Sequence, residues 1–168
     1  MDYMYQNISE LKRVYMNATK NGKITSMKST FENCINIKSF IIDGFNTKKI
    51  ESMNRLFYGT NISIADIEGL ETNNFKDMSF MLAKTKVEFL NLSNFITNKV
   101  TNMSHMFYET SIKNLILLNC DTSNVQDMSH LFENSKDLAI LNFNNFKTSN
   151  VLNMNLMFEI VLIFNILI

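Results

Sequence analysis

A methionine that returns every 25 or 26 residues constrains this chain more than any other feature. It stands at Met27, Met53, Met78, Met103, Met128 and Met154. Four residues after each comes Phe31, Phe57, Leu82, Phe107, Phe132 or Phe158, and three before comes Ile24, Ile50, Phe75, Val100, Val125 or Val151. A threonine lies six before five of them (Thr47, Thr72, Thr97, Thr122, Thr148), and a small residue lies seven after (Cys34, Thr60, Thr85, Thr110, Ser135). A single unit of this size cannot bury its own apolar face, whereas stacked units bury one continuous core.

Each period carries two hydrophobic rhythms. From Val100 through Met103, Met106 and Phe107 to Thr110, apolar or small residues fall at i, i+3, i+6, i+7 and i+10, the stripe of a short helix. The Thr-Ser-Asn runs at 122–124 and 148–150 offer side-chain oxygens to cap its start. The other half alternates, as in Leu115-x-Leu117-x-x-Cys120, Leu90-x-Leu92-x-x-Phe95, Leu141-x-Phe143-x-x-Phe146 and Phe40-x-Ile42-x-x-Phe45, which reads as a short buried strand. The expected fold is therefore an α/β repeat solenoid, leucine-rich-repeat-like. Each 25–26-residue coil would hold one short parallel strand and one short helix, with about five to six coils in the stack. Its divisions are an N-terminal capping segment over 1–19, the repeats over 20–158, and an apolar tail over 159–168 that is an incomplete repeat or a cap. Met4, Ile8, Leu11 and Tyr15, at i, i+4, i+7 and i+11, predict an amphipathic helix in the first of these.

Asp121-Thr122-Ser123-Asn124-Val125-Gln126-Asp127-Met128-Ser129-His130-Leu131-Phe132 resembles the D-T-S-x-V-x-x-M-x-x-M-F core of the BspA-like bacterial surface protein repeat family, first described as a mycoplasma domain of unknown function. The likeness spans roughly residues 20–158. It implies a curved strand-plus-helix stack on a cell surface, used for adhesion or protein binding, with no catalytic residue to carry over. The chain departs from that family in using Phe, Leu or Cys after the strand where Trp is common. It also shows no readable signal peptide, lipoprotein cysteine or wall anchor.

Charge excludes one class of function. Lys+Arg and Asp+Glu number 16 each, and no basic tract exists to engage nucleic acid. No apolar run approaches the roughly 20 residues that a membrane-spanning helix needs. Cys34 and Cys120 offer neither metal spacing nor a disulfide framework. No nucleophile, phosphate-loop or zinc-hydrolase motif appears, so neither catalysis nor a cofactor is expected.

Two constellations remain. His105 and His130 each follow the repeat methionine by two residues. They should therefore lie side by side on neighbouring coils, as exposed helix-face side chains or as a metal-binding or pH-sensitive pair. The second constellation is the outward side of the strands, formed by Ile41, Asp66, Asn91, Ile116 and Asn142 with Asp43, Glu68, Ser93, Leu118 and Asn144. Asp66, Glu68 and Asp43 form a solvated acidic patch there, with no pocket to raise a carboxyl pKa. Variable residues on a fixed scaffold are what a recognition face for a protein or glycan looks like. The alternative is a structural spacer, or a truncated copy from a larger array, with no ligand. The apolar, charge-free stretch from Ile160 to Ile168 further predicts self-association through an open C-terminal edge.

Overall fold

The computed structural model describes residues 1–17, 23–62, 64–67, 70–142, 146–161 and 165–167. The alternating segments form seven short strands: β1 (Arg13–Asn17), β2 (Ser39–Asp43), β3 (Ile64–Asp66), β4 (Phe89–Asn91), β5 (Asn114–Ile116), β6 (Ile140–Asn142) and β7 (Asn165–Leu167). They pair in parallel, in chain order, as one sheet β1-β2-β3 and a second β4-β5-β6-β7. The register advances by one period: Phe40 lies beside Ala65, and Leu90 beside Leu115 beside Leu141. The central residue of β4, β5 and β6 is buried and its neighbours are open to varying degrees, as half-buried strands require.

The helix expected in each coil is not there. Among the described residues there is no helix, so the α/β solenoid with a strand and a helix per coil is overturned. The segment after each repeat methionine is instead a ribbon of tandem β-turns. In the coil of Met103, Met106 N–H bonds Met103 C=O (3.2 Å) and Tyr108 N–H bonds His105 C=O (3.1 Å). Every other amide leaves the coil: Met103, His105, Phe107 and Glu109 donate to the carbonyls of Asp127, Ser129, Leu131 and Glu133 on the next one. A helix would send those amides four residues back. The apolar stripe is satisfied equally well by these turns, because a turn ribbon also brings Met and Phe, four apart, to one side.

Left-handed residues keep the ribbon from coiling up. His105 (φ 57°) sits at the third position of its turn, where a type II turn demands positive φ, and Glu109 (φ 51°) is left-handed just after the second turn. Equivalent pairs recur at Ser29 and Asn33, Arg55 and Gly59, Phe80 and Lys84, and His130 and Asn134. Just before the methionine a carboxylate or amide starts the ribbon. Asp77, Asn102 and Asp127 accept from the backbone N–H of Ser79, Ser104 and Ser129 at 2.9–3.0 Å. Such Asx turns draw the backbone away from helix. Ser26, Ser52, Asp77, Asn102, Asp127 and Asn153 also bridge one another in parallel from coil to coil.

The threonine column has a different role from helix capping. Thr72 Oγ1 accepts from Ile96 N–H (2.7 Å) and faces Ile96 C=O at 3.2 Å. Thr47 and Thr122 hold the backbones of Glu71 and Lys147 in the same way. A buried hydroxyl thus substitutes for a peptide group where no strand pair is present.

The N-terminal segment is also corrected. Met4, Ile8 and Tyr15 are exposed rather than gathered on one buried face. Residues 1–8 are a further turn ribbon, with Tyr3 (φ 57°) and Asn7 (φ 62°) left-handed and Tyr5 stacked on Phe31 at 5.6 Å. Met1 therefore precedes Met27 in the methionine column. The core runs from the coil of Met27 to that of Met128: Met27, Met53, Met78, Met103 and Met128 are 0–1% exposed, with Phe31, Phe57, Leu82, Phe107 and Phe132 beside them, while Met154 and Phe158 in the last coil are exposed.

Candidate functional site

Two surfaces flank this core, one made of strands and one of turns. On the strand side the outward residues of β4, β5 and β6 form columns, Phe89–Asn114–Ile140 and Asn91–Ile116–Asn142. Phe89 is 58% exposed, and Ile140, Leu118 and, on β2, Ile41 are exposed as well. Ile116 is half-buried between Asn91 and Asn142. Asn91 and Ser93, read as recognition residues, are engaged with each other. Asn91 Oδ1 accepts from Ser93 N–H (3.0 Å) and Oγ–H (2.6 Å), which fixes the turn that ends β4. Asn142 Oδ1 is buried, with no partner among the described residues. Asp43 and Asp66 belong to β2 and β3 by backbone, while Glu68 and Asn144 lie outside the described residues. Phe89 and Ile140, the most apolar part of this face, escaped the sequence reading because they precede the buried strand residue rather than follow it.

On the turn side the structure brings together more than the histidine pair. The imidazoles of His105 and His130 are stacked with centroids 4.2 Å apart, and Phe80 stacks on the other face of His105 at 4.2 Å. The Arg55 guanidinium lies 5.3 Å from the Phe80 ring and 3.8 Å from Tyr58. Arg55 Nη2 pairs with Glu32 Oε1 at 2.5 Å. At the far end His130 Nδ1 bonds the Glu133 carboxylate. The result is a ladder of planar groups across four coils, capped by a carboxylate at each end. His105 and His130 are half-buried members of this stack, not exposed helix-face side chains.

The ladder's electrostatics follow from that packing. Burial, then the neighbouring His130, pushes His105 below its ordinary value of 6.5, and its Nδ1 is buried without a partner among the described residues. Burial works to raise Glu32, but the Arg55 hydrogen bonds and charge outweigh it and hold the carboxyl below its usual range. Glu133 was invisible in the histidine column because it lies three residues on, at the end of the same turn. Both faces of His105 are covered by stacked rings, and among the described residues no three His, Cys, Asp or Glu side chains are placed to hold a metal ion.

Cys34 and Cys120 are buried free thiols, and burial pushes Cys120 up to about 12, far from the thiolate a nucleophile needs. An open hollow of about 530 Å³ at the first two coils is lined by Met1, Tyr5, Leu11, Val14, Met16 and Phe31 among others, with Arg13 the one charged side chain among the described lining residues. No described helix is long and apolar enough to cross a membrane.

Stacked parallel coils, apolar inside, with variable residues outside, define a protein built by repetition. The chain belongs to the family described as Mycoplasma protein of unknown function, DUF285, whose model matches it twice, over residues 1–114 and 83–168. The resemblance seen in the sequence holds at that level. No curated protein and no solved structure matches the chain.

Proposed function

We propose that this chain is a non-enzymatic surface protein that binds a protein partner through the outer face of its second sheet, in an adhesive role. The observation that carries this reading is the apolar patch on that face. Phe89 on β4, Ile140 on β6 and Leu118 just after β5 stand exposed around Ile116, beside the buried Leu90, Leu115 and Leu141 of the core. Exposed apolar side chains grouped on a rigid sheet are the surface that association buries to advantage. On the turn side between the end coils, Phe80, His105 and His130 are stacked on one another instead. A protein partner suits the patch better than a glycan, since its exposed members are mostly aliphatic. The BspA-like resemblance supports the same role.

A peptide-display selection on the immobilised chain tests this. Enriched peptides should carry aromatic or aliphatic anchors and lose at least tenfold in affinity on the F89D/I140D variant. A selection with no enrichment, or binders indifferent to that variant, overturns the reading.

A further inference from the structure

The two edges of the stack are complementary to each other. Each turn ribbon donates alternate amides to the carbonyls of the following coil. His130, Phe132 and Asn134, for example, donate to Asn155, Met157 and Glu159 at 2.8–2.9 Å. In the last ribbon the equivalent amides are those of Leu156, Phe158 and Ile160, which have no partner among the described residues. In the first ribbon the equivalent acceptors are the carbonyls of Asp2, Met4 and Gln6, likewise without a partner among the described residues.

We propose that copies of this chain stack head to tail, the Leu156–Ile160 ribbon of one seated on the Asp2–Gln6 ribbon of the next in continuation of the coil register. This goes beyond the binding role above and uses a different surface. Leu156, Phe158 and Ile160 would donate to Asp2, Met4 and Gln6 as their counterparts do inside the stack. The side chains match as well. Phe158 closes a column of stacked rings (Phe107–Phe132 5.5 Å, Phe132–Phe158 5.3 Å), and Tyr5 opens the other end of that column on Phe31. Leu156 is 48% exposed and Tyr3, its equivalent, 50%, so both have apolar surface left to bury. No like charges meet in the ribbon, because Asn155 falls on Asp2 and Glu159 on Gln6. The outer strands agree: among the described residues β7 is an edge strand of one sheet and β1 of the other.

Polarity excludes the symmetric alternative. Two C-terminal edges would set donor rows against donor rows, so the contact is heterologous and open, and it propagates. In-register neighbours on adjacent coils lie about 4.8 Å apart, within the roughly 4.4–6.8 Å that a disulfide spans between Cα atoms.

The test uses the full chain with its two buried cysteines retained. The variants L156C and Y3C are mixed in equal amounts under mild oxidation. The mixed disulfide should outnumber either homodimer at least fivefold, and the mass of the unaltered chain in sedimentation equilibrium should rise with concentration. Homodimers as abundant as the mixed species, or a monomer at every concentration, would overturn the proposal. Should either cysteine disturb the circular dichroism, the same experiment on N155C and D2C, exposed neighbours in the same register, decides it.

Discussion

The turn side and the strand side of each coil solve the same stacking problem differently. Strands pair through three to five residues and then release their neighbours, so their outward side chains are free to vary. The turn ribbon is tied to the next coil by alternate amides along its length. It also stacks its side chains: aromatic on aromatic from Phe107 to Phe132 to Phe158, and planar on planar from Arg55 to His130. Regularity resides in the turns, and freedom in the strands. Evolutionary change should therefore cost most on the ribbon's inner side and least on the outer side of the strands.

A pair of charge insertions gives the largest expected contrast. Met103 is 1% exposed and packs within the methionine column, so Met103→Asp places an unpaired carboxylate in the core. Such a change costs more than about 4 kcal/mol and unfolds a marginal domain. Ile116→Asp, on the outward side of β5, should lower stability by less than about 1 kcal/mol. Thermal or urea unfolding followed by circular dichroism separates the two. Equal midpoints would mean that the two sides of a coil are not distinct.

The inner columns were legible in the sequence because burial repeats with the period. From Met27 to Met128 the Met column, the Phe or Leu four residues on and the small residue seven on are buried where their rhythm placed them, as are Leu90, Leu92, Leu115, Leu117 and Leu141, whereas Met154 and Phe158 in the last coil are exposed. The ribbon's conformation was hidden by a degeneracy: apolar residues at i, i+3 and i+4 satisfy a helix and a run of β-turns alike. Glycine would normally betray positive φ, yet only Gly59 supplies it in a ribbon while Ser29, Arg55, Phe80, His105 and Glu109 adopt it without that help. The signal that could have told the two apart was the Ser/Asp/Asn column one residue before each methionine. Its Asx turns start the ribbon, but in so Asn-rich a chain it passed as background. The ring ladder was half legible, since the histidines share a column whereas Tyr58 and Glu133 join it from other positions of the turn.

A smaller effect probes the ladder through pH. His105 is held neutral by burial and by His130, with its folded pKa below 6.5. As pH falls through that ordinary value the unfolded chain binds a proton before the folded one does, so stability drops with falling pH and is fully present above it. His105→Phe should flatten this component between about pH 7 and pH 5. Phe80 already occupies the same column at φ 56°, so the replacement fits the backbone. Melting midpoints of the two proteins across that range provide the measurement. Parallel curves would show that His105 is solvated as a strand-side residue would be.

The smallest effect tests whether the ribbon's regularity carries strain. Lys84 holds φ 59° in the column where the preceding coil has Gly59. A left-handed conformation costs an ordinary residue about 1–2 kcal/mol, while glycine loses about 0.5–1 kcal/mol more than alanine in chain entropy on folding. Lys84 also pairs with Glu109 at 3.5 Å, but both are well exposed, so little is lost with that contact. Lys84→Gly should then raise stability by a few tenths to about 1 kcal/mol, a gain of up to about 4 °C in melting temperature for a chain this size. The reverse exchange has no such room: a Cβ at Gly59 would come within 2.4 Å of Asn33 Oδ1, so Gly59→Ala should destabilise by both strain and crowding. If Lys84→Gly proves destabilising instead, the cross-coil bonds of the ribbon already accommodate left-handed residues at no net cost. The turn side would then tolerate sequence change as freely as the strand face does.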